Sequence, residues 1–104
     1  MTDWHDIGPS DDFQEEAAWP VQVAGRSIAI FRLGGEVFAL DDRCTHGQAR
    51  LSEGFIEDGC IECPLHQGRF DIRSGQPQCP PVTQRVPTYA TREHAGRVWV
   101  QVAS

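Results

Sequence analysis

The sequence contains two short segments that each combine one cysteine with one histidine, namely Cys44-Thr45-His46 and Cys63-Pro64-Leu65-His66. A mononuclear zinc site more often takes two cysteines from one turn and two histidines from a helix. In this chain the two ligand types instead alternate along the sequence. That order suits a centre of two metal ions, in which one ion binds both cysteines and the other binds both histidines.

The alternating order predicts that Cys44, His46, Cys63 and His66 bind one Rieske-type [2Fe–2S] cluster, with which the chain would carry single electrons. Iron in such a cluster prefers soft thiolates, and imidazole is a competent ligand for the second iron. Two neutral imidazoles in place of two thiolates make the cluster less negative. Its reduction potential should therefore lie above that of an all-cysteine cluster. A mononuclear zinc site is the alternative.

The remaining cysteines and histidines are expected to be structural: Cys60, Cys79, His5 and His94. Cys60 and Cys63 have the spacing of a zinc knuckle, which keeps a zinc site open as an interpretation. Cys60 nevertheless lies in a predicted short strand beside an apolar residue, and this favours a small buried side chain.

The chain of 104 residues is predicted to form one domain, residues 1–104, with a cluster-binding subdomain at approximately 43–82. A domain of this size has a small core, so a bound metal would add to its stability. No segment reaches the ~18 apolar residues of a membrane span, and the acidic N-terminus lacks the basic start of a signal peptide. We therefore expect a cytoplasmic protein, in which four cysteines favour metal binding over disulfides.

The formal net charge is −6, the chain has no lysine, and nine of its fifteen acidic residues lie within residues 1–42. This balance argues against nucleic-acid binding, which needs a basic surface. It favours fast, salt-sensitive docking to positively charged protein partners. Acidity that serves only solubility is the alternative.

Short apolar and alternating runs predict an all-β fold. The clearest element is a hairpin of two strands, 26–33 and 36–41, joined by Gly34-Gly35, because glycine tolerates the positive φ of a two-residue turn. The first of these strands is apolar on both faces, as a central strand would be. No helical periodicity of useful length is present.

The remaining segments give weaker patterns. A last hairpin is predicted from 86–93 and 97–102, whereas 76–82 contains three prolines and is predicted to be a stiff loop. Residues 1–16 show no firm pattern. The two ligand loops are expected to form a tip inserted between hairpins.

A larger pattern surrounds the ligands: Cys44-Thr45-His46-Gly47, Leu51-Ser52-Glu53-Gly54 and Ile61-Glu62-Cys63-Pro64-Leu65-His66-Gln67-Gly68-Arg69-Phe70-Asp71, with Pro81-Val82-Thr83-Gln84 and Tyr89 further on. It closely resembles the Rieske-type ferredoxins of bacterial multicomponent aromatic-ring dioxygenases, most of all those of the naphthalene and biphenyl type. The resemblance covers most of residues 19–102. Residues 1–18 match least, and the absence of lysine and the presence of Cys60 depart from the pattern.

The resemblance implies a Rieske fold of three small antiparallel sheets with a cluster-binding subdomain at one end. It also implies a role as an electron carrier, not an enzyme. Such a carrier accepts electrons one at a time from a flavoprotein NAD(P)H reductase and passes them to a terminal Rieske non-haem iron oxygenase. A carrier needs no second copy of itself, so we expect a monomer.

Comparison within that family also predicts the reduction potential of the cluster. High-potential members carry two extra cysteines, joined by a disulfide, at positions that match Ala49 and Leu65, and hydroxyls on the cluster sulfurs at positions that match Gly68 and Phe70. Neither feature is possible here. Fewer donors to the sulfurs disfavour the reduced, more negative cluster, so the resemblance implies a potential of roughly −150 mV.

Two other functional classes are weighed against the carrier. One is an enzyme subunit, since the small subunit of assimilatory nitrite reductase and the oxygenase α subunit have similar domains. A complete oxygenase is excluded, because 104 residues leave no room for a catalytic domain. The other class is an interaction module stabilised by zinc.

Overall fold

The computed structural model describes residues 2–44, 49–64, 68–79 and 84–103. In this part of the chain, eleven strands form three antiparallel sheets and no α-helix is present, which confirms the predicted all-β architecture. No described helix is long and apolar enough to cross a membrane. The strands are β1 (Thr2–Pro9), β2 (Ala18–Val23), β3 (Arg26–Leu33), β4 (Glu36–Asp41), β5 (Phe55–Glu57), β6 (Cys60–Glu62), β7 (Arg69–Asp71), β8 (Pro77–Cys79), β9 (Thr88–Tyr89), β10 (Thr91–His94) and β11 (Arg97–Ala103).

The central sheet has the order β2-β3-β4-β9 and contains the hairpin predicted from the sequence. Its two-residue turn has positive φ at Gly34 (59°) and Gly35 (82°), the conformation for which glycine is preferred. Strand β3 is buried on both faces. Ile28 and Ile30 pack into one apolar cluster, whereas Phe31 and its alternate neighbours pack into the other.

The sheet that contains the second ligand loop, between β6 and β7, has the order β5-β6-β7-β8, and β8 lies within the segment predicted to be a loop. That prediction missed a strand because three prolines outweighed the local pattern. Strand β8 is at the edge of its sheet, where a proline such as Pro77 is tolerated because one side needs no ladder hydrogen bonds.

The third sheet has the order β1-β11-β10, and β1 comes from the N-terminal segment that showed no strand pattern. The first strand of the predicted last hairpin, 86–93, is divided between two sheets: Thr88 and Tyr89 pair with β4, whereas Thr91–His94 pairs with β11. The last hairpin is therefore shorter than predicted, and its first part ties the terminal sheet to the central one.

Candidate metal centre

Two of the four predicted ligands, Cys44 and Cys63, lie within the described residues, and both are buried. Their exposed fractions are 1% and 0%. Cys44 lies shortly after β4 and Cys63 directly follows β6, so two different sheets deliver the two thiols. Both belong to one apolar cluster that also contains Leu51, Ile61 and Phe70.

The two ligand loops are closed by the same backbone contact. The N–H of Cys44 donates to the carbonyl oxygen of Ala49 (3.0 Å), and the N–H of Cys63 donates to that of Gly68 (2.7 Å). In each loop the acceptor lies five positions after the cysteine. The likeness of the two segments in sequence thus extends to the backbone that supports them.

The two histidines predicted as ligands, His46 and His66, lie outside the described residues, as do Pro80 and Pro81 of the segment predicted to be a stiff loop. Within residues 2–44, 49–64, 68–79 and 84–103, no group of three or more His, Cys, Asp or Glu side chains is placed to hold a metal ion. Two of the four predicted ligands lie outside that part of the chain.

The described cysteines fit a thiolate-bound iron. Both thiols are shielded from water in one apolar cluster, and each begins a loop whose base is closed by a backbone hydrogen bond. A buried thiolate is favourable when a metal compensates its charge, and iron–sulfur clusters require soft ligands of this kind.

Gly54 holds the turn that follows the first loop against the strand that leads to the second. A Cβ atom at this position would lie 2.0 Å from the carbonyl oxygen of Glu62, so no other residue fits without moving the backbone. The N–H of Gly54 donates to Leu51 (2.9 Å) and ends the 3₁₀ turn Leu51–Glu53. The close contact at Gly54 therefore connects the supports of both loops.

A polar cavity of about 400 Å³ lies at the base of the first loop; its lining residues are Ser27, Asp41, Asp42, Arg43, Ala49 and Arg50. Burial raises the pKa of Asp41, and the hydroxyl of Tyr89, 3.5 Å from Oδ1, acts in the opposite direction. Burial and the charge of Asp41 both raise the pKa of Tyr89. The positive charges of Arg26 and Arg43 also lower the pKa of Asp41, so they act against the effect of its burial.

Arg69 supports the second loop from the outer face of the sheet. Its guanidinium forms ion pairs with Glu62 (3.2 Å) and Glu57 (3.8 Å), which lie on the two preceding strands. Phe55, opposite Glu62 in the same row of the sheet, is 64% exposed. Charged side chains and one large apolar side chain therefore border the second loop.

Cys60 lies in β6, where it pairs with Asp71 and Glu57, as the predicted strand requires. Its side chain is half-buried, whereas a buried side chain was predicted. A zinc knuckle needs a turn between its two cysteines. The extended backbone of Cys60–Glu62 does not provide that turn, and Cys60 remains a strand residue.

Sequence reasoning assigned no role to Asp42, although it is buried beside the first loop and hydrogen-bonded to Ser52. The two residues are ten positions apart and share no local pattern. The only signal was the position of Asp42 two residues before Cys44.

Comparison with known proteins identifies the family. The model of the Rieske [2Fe-2S] domain matches residues 3–90. The anthranilate 1,2-dioxygenase ferredoxin subunit of Burkholderia cepacia is 52% identical over 98% of this chain and 94% of its own. The naphthalene 1,2-dioxygenase system ferredoxin component of Pseudomonas aeruginosa is 42% identical over 96% of both chains.

Solved structures agree with the sequence comparison. A chain from the complex of reduced oxygenase and oxidized ferredoxin in carbazole 1,9a-dioxygenase superposes with a TM-score of 0.88 and 34% identity, over 93% of this chain and 91% of its own. The buried cysteine pair, the three sheets and these matches agree. The chain belongs to the Rieske [2Fe–2S] domain family, and its cofactor is one cluster of that type.

Proposed function

We propose that this chain is the ferredoxin of an aromatic-ring dioxygenase system, which carries single electrons and performs no bond chemistry itself. It would accept electrons from an NAD(P)H-dependent flavoprotein reductase and pass them to the terminal oxygenase. The observation that carries the proposal is 52% identity, over 98% of this chain, to a relative named as a dioxygenase ferredoxin subunit. That relative is matched over 94% of its own length and is named as a ferredoxin subunit, which supports the carrier role.

Cys44 and Cys63 would bind one iron of the cluster, and His46 and His66 would bind the other. The burial of both cysteines in one apolar cluster and the matched closure of their loops support this assignment. When bound, the cluster supplies a centre that gains and loses one electron at a time. The chain's own contribution is to hold the ligands and to exclude water from the cysteine side with Leu51 and Phe70.

The acidic surface would guide docking to the partners. A net charge of −6 without any lysine favours basic surfaces on the reductase and on the oxygenase, with association rates that fall as salt increases. The carbazole structure is described as a complex of oxygenase with ferredoxin, which supports contact with the oxygenase. A monomer in the cytoplasm suits a carrier that visits two partners in turn.

Reductive titration of anaerobically purified protein, followed by electron paramagnetic resonance, tests the cluster. We expect two irons per chain and a mixed-valence signal that develops near the low end of the Rieske range. Cys44→Ser and Cys63→Ser should lose most of the iron, whereas Cys60→Ser, the matched control on the preceding strand, should retain it. Zinc in place of iron would overturn the proposal.

Transfer between partners tests the carrier role. The reduced protein should donate electrons to a Rieske oxygenase of an aromatic-ring system, and a flavoprotein reductase with NADH should reduce it again. Competition between reductase and oxygenase for binding would support a shuttle. A stable ternary complex, or permanent association with one enzyme, would instead indicate an enzyme subunit.

A further inference from the structure

Asp42 is the one charged residue that is fully buried within the described part of the chain, with 1% of its surface exposed. A carboxylate is costly to bury unless hydrogen bonds compensate its lost hydration. Asp42 directly follows β4 and precedes Cys44 by two residues. A buried carboxylate at this position calls for an explanation that the general fold does not supply.

Three hydrogen bonds connect Asp42 to the exit of the first ligand loop, and a fourth connects it to the central sheet. Its carboxylate accepts from the backbone N–H of Ser52 at Oδ1 (2.7 Å) and from the Ser52 hydroxyl at Oδ2 (2.9 Å). Its carbonyl oxygen accepts from the N–H of Leu51 (2.7 Å), and its own N–H donates to Ser27 on β3 (3.0 Å). One residue thus binds the exit of the loop and anchors the entrance to the central sheet.

We propose that Asp42 and Ser52 form a clamp that positions the first ligand loop, so that Cys44 is presented to the cluster in the geometry that retains iron. This inference rests on the proposed function, because it assigns Asp42 and Ser52 a role at the same metal site. Both are positioning residues, and neither needs to contact the cluster. The clamp closes the loop outside the contact of Cys44 with Ala49, so its loss would weaken the support of Cys44.

The chain contains a matched pair of the same chemistry away from the ligands. The carboxylate of Asp71 accepts from the backbone N–H of Ser74 (3.0 Å) and from its hydroxyl (2.7 Å). This pair closes the turn between β7 and β8, at the end of β7 opposite to the second ligand loop. The Ser74 hydroxyl also accepts from the N–H of Gln76 (3.2 Å), so its removal costs at least as many hydrogen bonds as removal of the Ser52 hydroxyl.

The experiment compares Ser52→Ala with Ser74→Ala in the cluster-loaded protein. We measure the rate of iron release to a chelator, the visible circular dichroism of the oxidised cluster and unfolding by urea. Ser52→Ala should release iron about fivefold faster, the factor for one lost hydrogen bond, and should alter the visible dichroism. Ser74→Ala should leave both unchanged, although it destabilises the fold to a similar extent. Ser52→Thr retains the hydroxyl and should restore the wild-type rate.

Equal rates in Ser52→Ala and Ser74→Ala would overturn the clamp, whether both are fast or both are slow. If Ser52→Ala does not fold, the comparison is made between Asp42→Asn and Asp71→Asn, with the same expectation and the same contrary outcome. Wild-type protein that assembles no iron cluster would instead refute the proposed function. The two failures are therefore distinguishable.

Discussion

Arg32 on β3 and Glu93 on β10 form a two-point ion pair between the central and the terminal sheets. Nη1 and Nη2 of Arg32 each lie 3.0 Å from one carboxylate oxygen of Glu93. The same guanidinium also donates to the carbonyl oxygens of Ser10, Phe13 and Gly35. Arg32 therefore binds three separate segments, and its side chain is only 14% exposed.

The first prediction concerns this network. Arg32→Ala removes every one of these bonds and leaves several carbonyl oxygens without their donor, so we expect a loss of about 3 kcal/mol in the free energy of unfolding. Glu93→Gln keeps the other contacts of Arg32 and should cost about 1 kcal/mol. Urea denaturation measures both values.

The control for this network is Arg97→Ala. Arg97 pairs with Asp6 at 2.6 Å, but its side chain is 46% exposed. An exposed ion pair contributes little to stability, so this variant should be close to wild type. Equal losses in Arg32→Ala and Arg97→Ala would contradict the central position assigned to Arg32.

The second prediction is a dependence on acid. The hydrogen bond from Arg32 lowers the pKa of Glu93 below its ordinary value of 4.5, against the effect of burial. The folded protein therefore binds this proton more weakly than the unfolded chain. The stabilising contribution of Glu93 is complete above pH 4.5 and is lost as the pH falls through the pKa of the folded state.

Glu93→Gln cannot titrate and provides the comparison. Its stability difference from wild type should be constant at neutral pH and should shrink in the acid range. Urea unfolding at a series of pH values measures that difference. A difference that grows with acid would mean that the sign of the pKa shift at Glu93 is wrong.

The central hairpin could be predicted from the sequence because its information is local. Strands β3 and β4 are apolar runs separated by a glycine pair, and both begin and end where the pattern indicated. Strand β1 could not be predicted, since its residues are mixed in polarity and become a strand only by pairing with β11, about ninety positions later.

The same distinction between local and long-range information separates Cys44 and Cys63 from Asp42. Cys44 and Cys63 were predicted as ligands because cysteine and histidine occur at a recognisable spacing. Asp42 was not, because its partner Ser52 is reached only when the first ligand loop closes. Arg32 lies in a strand that was predicted, but the sequence carried no sign of Glu93 as its partner.

The third prediction concerns Gly54, where backbone from the two loop supports meets. Gly54→Ala would place Cβ 2.0 Å from the carbonyl oxygen of Glu62, so the backbone must shift. We expect a loss of about 3 kcal/mol and a lower iron content, because the shift reaches both ligand loops. Gly96→Ala is the control. A Cβ atom added at Gly96, where φ is 75°, would meet nothing within 4 Å, so only backbone strain of about 1 kcal/mol applies and iron should be retained.

The fourth prediction concerns ligand charge. His66→Cys replaces a neutral imidazole by a thiolate, so the protein should retain iron while its potential falls toward that of all-cysteine clusters. A reductive titration followed by electron paramagnetic resonance measures the potential. His94→Cys, at an exposed position on β10, introduces the same residue and should leave the potential unchanged. An unchanged potential in His66→Cys would remove His66 from the ligand set.

The fifth prediction concerns the hydroxyls that this chain lacks. Phe70 is fully buried in the apolar cluster of side chains that contains Cys44 and Cys63, and Gly68 is buried at the end of the second ligand loop. If these positions face the cluster sulfurs, the double variant Gly68→Ser, Phe70→Tyr adds two donors that favour the reduced state. Its potential should then rise from roughly −150 mV.

Stability provides a second measure of the same contacts. A buried hydroxyl without a partner costs about 1–3 kcal/mol, whereas one that donates to a cluster sulfur costs little. Phe13→Tyr is the matched control, because Phe13 is 5% exposed and belongs to the other apolar cluster. It should lose stability without any change in potential. A double variant that behaves in the same way would show that Gly68 and Phe70 do not face the cluster sulfurs, and that the low potential has another origin.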